Sequence, residues 1–228
     1  MTNKLQFDPE EIRKAINVLK PDNELFEVRI LQGYRTYSGY FRDSESLIRE
    51  LRKVDLTGAN VYLTLQKIHE GCEARLQWER FLDAKKDKFP NTSDNDITSY
   101  LFIPIDLDPT RPAGISSTDQ ELRYAFEMAR EINDYMKFND FTDYVFAFSG
   151  NGYHLLYKCV LPVSKKEYIV GILENLDSLF SNDLCKVDTT LSNPARIIKL
   201  YGTFAQKGRH TASRPHRLSK ILEVHNEN

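Results

Sequence analysis

The stretch YLFIPIDLDPTRPAG, Tyr100 to Gly114, carries an apolar strand straight into two acids, Asp106 and Asp108. Side chains alternate along a strand, so carboxylates two residues apart stand on one face. Like charges that close repel unless water or a cation separates them. A wet, Asx-rich turn at the strand end meets the first condition; a divalent cation meets the second. Further along comes SGNGYH, Ser149 to His154, and then VD, Val187-Asp188. Alone, SGNGYH reads as a hairpin turn. Beside carboxylates it reads as a phosphate cradle: Gly150 and Gly152 let backbone N–H groups approach, and Ser149 and His154 add a hydroxyl and an imidazole. Three convergent carboxylates suit a pair of hard divalent cations, with oxygen ligands and phosphate supplying the rest. Such a pair, about 3.5–4 Å apart, clamps the attacking and leaving oxygens of a phosphoryl transfer.

These residues act together only if the fold gathers them. The second half predicts a strand over Tyr100–Asp106 and a helix capped by Thr118 with Glu121 three residues on, striped by Leu122, Ala125, Phe126, Ala129, Ile132 and Met136. A strand Tyr144–Ser149 follows, then the glycine turn, then a strand His154–Val160. Ser164 and Glu167 cap a second helix, striped by Tyr168, Ile172, Leu176 and Leu179. A last strand starts near Val187 or lies in RIIKLYG, Arg196 to Gly202. The order β-α-β-β-α-β is the ferredoxin-like, RRM-like arrangement, with spatial strand order 4-1-3-2. That order puts Asp106, Asp108, His154 and Asp188 at one corner of the sheet. Leu101, Ile103, Ile105 and Leu107 would face the helices, and Phe102, Asp106 and Asp108 the open side.

The first half predicts a helix capped by Asp8, with Pro9 at its first position, Glu11 completing a capping box, and Ile12, Ala15, Ile16 and Leu19 as its stripe. LFEVRIL alternates Phe26, Val28 and Ile30 against Glu27 and Arg29, as a half-buried strand does. A strand YRTYSGYF, a helix around Ser46–Lys53, a strand NVYLTLQ and a helix around Glu73–Ala84 follow. The polar, turn-rich KFPNTSDND, Lys88 to Asp96, marks a module boundary. The expected fold class is α+β: an N-terminal α/β module over residues 1–95 packed against an RRM-like module with a basic C-terminal segment over residues 96–228.

The 228 residues, 41% hydrophobic and 28% charged, allow one sizeable domain or two small ones, and the net charge of −2 points to no partner. From Arg196 to Lys220, however, seven basic residues occur without an acid: Arg196, Lys199, Lys207, Arg209, Arg214, Arg217 and Lys220. This is a surface for polyanions or a solvated basic tail. Cys72, Cys159 and Cys185 form no CxxC pair, which predicts a reduced intracellular protein without a structural zinc site. No apolar signal core and no run near the roughly 18 residues needed to span a bilayer are present, so a cytoplasmic protein without a membrane partner is expected.

IPIDLD, SGNGYH and VD resemble, in order, the three motifs of the archaeo-eukaryotic primase superfamily, the primase-polymerases: hhhDhD, sGxGxH, and a hydrophobic residue followed by Asp. NPARIIKLYGT is similar to the family's segment after the third motif, where an arginine and a lysine meet the nucleotide triphosphate; Arg196 and Lys199 match those positions. DPTRPAGISSTDQEL and KGRHTASRPHR are similar to segments of phage, plasmid and CRISPR-associated members. The resemblance covers Tyr100 to Arg217 and reaches the first 95 residues weakly. It implies a DNA primase/polymerase, a template-dependent nucleotidyltransferase with two Mg²⁺ or Mn²⁺ ions on Asp106, Asp108 and Asp188. It implies the triphosphate of a dNTP or NTP on Ser149, Gly150, Gly152, His154, Arg196 and Lys199. Single-stranded DNA template and primer would meet Arg111, Lys207, Arg214, His216 and Arg217. It implies a parent chain with helicase or other domains, and a prokaryotic or phage origin; the cysteine-rich zinc element of some members has no counterpart here. Two other readings compete. One is a non-catalytic RRM-like module that stacks single-stranded nucleic acid on sheet aromatics such as Phe102. The other is a metal-dependent nuclease using the same acids.

Overall fold

A computed structural model describes residues 6–226, without the side chains of residues 76–79. The chain is mixed α+β with antiparallel sheets. Helix α1, Pro9–Leu19, starts where Asp8 accepts hydrogen bonds from the Glu10 and Glu11 N–H groups. The capping box expected of Glu11 does not form. Its carboxylate accepts instead from the Ile221 N–H, reaching across the fold to a C-terminal strand. Strands β1 (Phe26–Gln32) and β2 (Arg35–Phe41), helix α2 (Ser44–Leu51) and strand β3 (Ala59–Thr64) follow. Glu27 does not face water as the alternation suggests. It is wholly buried, paired with Arg29 and held by the Ser38 hydroxyl and the Thr92 N–H. The expected helix around Glu73–Ala84 is also absent. A 3₁₀ helix covers Glu70–Glu79 after the short strand β4 (Lys67–Ile68), and β5 (Leu82–Asp83) pairs with β2. GCEARLQWE carries no apolar stripe of α-helical period, so sheet pairing and tertiary packing win over helix propensity.

The second half runs β6 (Ile97–Pro109), α3 (Asp119–Phe138), β7 (Tyr144–Phe148), β8 (Tyr153–Pro162), α4 (Lys166–Phe180), β9 (Cys185–Val187), β10 (Ile197–Lys199), β11 (Phe204–Ala205), β12 (Arg217–Leu218) and β13 (Lys220–His225). One sheet has the order β10-β3-β1-β2-β5. The other has β13-β7-β8-β6-β4, with β9 also on β6, at its far end. Both segments considered for the last strand are strands: β9 flanks β6, while β10 crosses to β3. Each sheet therefore borrows a strand from the other half of the chain.

One apolar core lies between the first sheet with α1 and one face of the second sheet, through Phe102, Val145, Ala147 and Leu156. The other lies between the opposite face, through Ile103, Ile105, Leu107, Leu155 and Tyr157, and helices α3 and α4. Leu101 does not face the helices as predicted. The register shifts between Tyr100 and Phe102, which turns Tyr100 toward them and Leu101 away. The Gln66 side chain fills that bulge, accepting from the Leu101 and Phe102 N–H groups and donating to the Phe102 carbonyl. Phe102 is not on an open face either; it is 4% exposed beneath the first sheet. The Thr118–Glu121 capping box of α3 forms. Ser164 caps nothing, because a 3₁₀ turn over Val163–Lys165 precedes α4 and changes the face it presents. Ile169, Leu173 and Leu176 are buried there, whereas Tyr168 and Leu179, expected in the stripe, are exposed. Phe126, placed in the α3 stripe, lies at its margin, partly exposed against Phe146 and Tyr153.

Candidate active site

The end of β6 is where the pieces meet. Asp106 pairs in register with His154 on β8, Leu107 with Val187 on β9, and the Asp188 N–H donates to the Asp106 carbonyl at 2.9 Å. Asp106, Asp108 and Asp188 line one open cleft of about 710 Å³, with Arg196, Lys207 and, from the N-terminal half, Arg29. An adjoining cavity of about 90 Å³ shares Asp106, Asp108 and Lys207 and adds Tyr62, Ser149, Asn151, His154 and Lys199.

The acids differ in circumstance. Asp106 Oδ1 is buried without a hydrogen-bond partner, and His154 Nε2 stands 3.5 Å away. Burial, then the charges of Asp108 and Asp188, push this carboxyl well above the usual carboxylate range. The Asp106 side chain is 25% exposed, so the cleft reaches it. Asp108 is more open and has Arg111 Nη2 at 3.4 Å and Lys207 Nζ at 3.8 Å. Asp188 caps the 3₁₀ segment Thr189–Ser192, accepting from the Thr190 N–H at 2.9 Å and its hydroxyl at 2.7 Å, with Arg196 Nη2 at 3.6 Å from its other oxygen.

The cationic and neutral donors are held by burial. His154 lies in the sheet with Nδ1 2.8 Å from the Tyr201 hydroxyl. Desolvation lowers its pKa to about 4, so the ring is neutral at pH 7, with only Asp108 pulling the other way. Tyr201 is buried and its phenol is pushed well above the usual range, so it stays protonated. Lys199, on β10 opposite Tyr62, is buried too, with Nζ donating to the Phe204 carbonyl at 2.7 Å and 5.5 Å from the Tyr62 ring centre. Burial first, then Lys207, lower its pKa to about 7.

The glycine turn is fixed by close approach. Ser149 N–H donates to the Gly152 carbonyl, and the Ser149 hydroxyl accepts from the Gly152 N–H. A Cβ on Gly152 would stand 2.3 Å from the Leu107 carbonyl oxygen, and one on Gly150, at φ +96°, 2.5 Å from Ala205 Cβ. Asn151 ties the turn to the loop before α3, accepting from the Ser117 N–H through its side chain and from the Ser117 hydroxyl through its carbonyl.

The basic segment is not a free polyanion surface. Arg214 forms a bidentate pair with Glu121, and Arg217 pairs with Asp119 while donating to the Ser117 carbonyl. His216 donates from Nε2 to the Gly208 carbonyl. Arg111 is buried against Asp108 and the Pro109 and Ile115 carbonyls. Of the five residues assigned to nucleic acid, only Lys207 lines the cleft. The charges are consumed by acids at the N-terminus of α3, which lie far away in sequence. Sequence reasoning missed Tyr201, Tyr62, Asn151 and Arg29 at this site. Tyr201 sits inside the quoted RIIKLYG and Asn151 inside the quoted SGNGYH, so both could have been flagged there; Tyr62 and Arg29 carry no local signal.

The donor set fits hard divalent ions by chemistry: three carboxylates on one cleft, one with an orphaned buried oxygen and a raised pKa that a cation would relieve. Among the described residues, no three His, Cys, Asp or Glu side chains are already gathered as a metal-ligand cluster. Cys72, Cys159 and Cys185 are free, and no helix among the described residues is long and apolar enough to cross a membrane. No protein-family model matches this chain, and no curated protein matches it.

Proposed function

We propose that the chain is a template-dependent nucleotidyltransferase that adds nucleotides to a 3′-hydroxyl. The observation that carries this reading is the meeting of two sets across two adjoining pockets that share Asp106, Asp108 and Lys207. Asp106, with an unsatisfied buried oxygen, lines both pockets with Asp108; Asp188 and Arg196 line the larger, and the phosphate donors Ser149, His154 and Lys199 line the smaller. The hydrogen-bonded order β9-β6-β8-β7, with α3 and α4 on one face, supports the ferredoxin-like, RRM-like reading of the second half. Bound by Asp106, Asp108 and Asp188, two Mg²⁺ or Mn²⁺ ions would lower the pKa of the attacking hydroxyl and neutralise charge in the transition state. The chain's own groups bind and orient the triphosphate. If the Tyr201 hydroxyl donates to Nδ1, the neutral His154 carries its proton on Nε2 and can donate it to a phosphate oxygen. Lys199 and Arg196 supply charge, and the Ser149–Gly152 turn backs the phosphates. A base-stacking module would use Phe102, which is buried.

The test is nucleotide binding with Mn²⁺ and no nucleic acid, followed by incorporation on a primed and an unprimed single-stranded template. A transferase binds the nucleotide and extends the primer. Strand cleavage without nucleotide binding would select the nuclease instead.

Lys199 makes binding pH-dependent in a defined direction. Near pH 8 its amine, lowered to about 7, is mostly neutral. A bound triphosphate favours the charged form, so binding takes up protons, and affinity falls as pH rises above about 7. Without ligand, the unfolded chain binds a proton that the folded chain does not between about 7 and 10.5. The burden of burying Lys199 is therefore largest below this window and fades across it. Calorimetry at pH 8 in buffers of different ionisation enthalpy should show proton uptake that disappears in Lys199→Met. Equal apparent enthalpies in all buffers would contradict it.

A further inference from the structure

Asp108 stands between two clefts. One contains Asp106, Asp188 and Arg196 and adjoins the cavity of His154 and Lys199. The other, about 550 Å³, is lined by residues 109–114, Lys186 and Lys207. Only Asp108 and Lys207 belong to both. The second cleft has a built wall: Arg111 is buried, donating to the Pro109 and Ile115 carbonyls, and so shapes a loop that presents Pro109, Pro112 and Ala113. Lys186 lies opposite Asp108 in the β6–β9 register. Residues directly opposite across a ladder share a face, with Cβ atoms about 5 Å apart. Its neighbours Cys185 and Val187 are buried against α3 and α4, so Lys186 emerges on the face of the aspartates. It is exposed and has no ion pair among the described residues.

In-line displacement decides what such a cleft can hold. The attacking oxygen and the leaving pyrophosphate lie on opposite sides of the α-phosphorus. If the triphosphate occupies the side of His154, Lys199 and Arg196, the 3′-hydroxyl arrives from the other side of Asp108. We propose that the second cleft seats the 3′-terminal nucleotides of a DNA primer strand. Lys186 contacts a backbone phosphate, Lys207 stands at the junction, and the prolines pack against sugar and base. The assignment rests on the nucleotidyltransferase reading.

The experiment compares Lys186→Ala, Lys186→Glu and Lys186→Arg with the parent protein in primer extension, alongside Mn²⁺ titration. The primer KM should rise roughly threefold for Lys186→Ala and roughly tenfold for Lys186→Glu, stay near parental for Lys186→Arg, and lose about one unit of salt slope. The nucleotide KM should not change. An unchanged primer KM in Lys186→Glu, in a parent protein that extends primers, overturns the cleft assignment and leaves the transferase reading intact. So does tighter Mn²⁺ binding by Lys186→Ala at unchanged primer KM, which would make Lys186 a counter-charge for the aspartates. A parent protein that incorporates nothing overturns both.

Discussion

Alanine at both Asp106 and Asp108 is expected to lower nucleotide incorporation by on the order of 10³-fold or more, while raising the melting temperature of the metal-free protein. The first effect follows from removing the charges that hold the ions in the proposed mechanism. The second follows from the crowding at the end of β6. Asp106 is desolvated and repelled by Asp108 and Asp188, and one of its oxygens has no hydrogen bond. Relief of that repulsion should raise the midpoint by roughly 2–4 °C per kcal/mol. Arg111 loses Asp108 but keeps the Pro109 and Ile115 carbonyls, so the loop retains its ties. The same repulsion sets a pH dependence. A carboxyl raised in the folded state favours folding at low pH, and its contribution is lost as pH rises through the folded value. Melting curves of the parent without metal should therefore weaken with rising pH above the ordinary carboxylate range, and Mn²⁺ should flatten that decline. Incorporation by the double variant at the parental rate would remove the aspartates from the mechanism.

Asp188→Asn is expected to lose activity and Mn²⁺ affinity, while Asp177→Asn and Asp183→Asn behave like the parent. Asparagine caps as well as aspartate. The Asp188 bonds from the Thr190 N–H and hydroxyl can therefore survive the change, and the melting temperature should stay within a few degrees. What disappears is the negative charge facing Asp106 and Arg196. Asp183 is exposed between α4 and β9, and Asp177 lies within α4; neither lines the cleft. A dead Asp183→Asn beside an active Asp188→Asn would place the third acid five residues upstream and show the assignment of β9 to be in error.

Local patterns made much of this chain legible. The alternation in β6 names Ile103, Ile105 and Leu107 as the buried set, because a strand repeats every two residues. The Thr118–Glu121 box marks the start of α3, because its bonds close within four residues. Asp106 opposite His154 follows from strand order once the hairpin at Ser149–Gly152 is recognised. What lies outside such patterns depends on which surface covers another. Glu27 alternates like a wet residue but is roofed by the Thr92 segment. The α4 stripe falls on Ile169 and Leu173 because the preceding turn changes the helix face. Lys199 is buried, and its pKa lowered to about 7, only because β10 leaves its own half to pair with β3. The basic run from Arg196 to Lys220 is a strong charge signal in one dimension. In three it is largely spent, since Glu121 and Asp119 lie where Arg214 and Arg217 arrive. Periodicity records which side of an element is apolar; desolvation and ion pairing depend on neighbours brought from elsewhere in the chain, and those set the chemistry of this cleft.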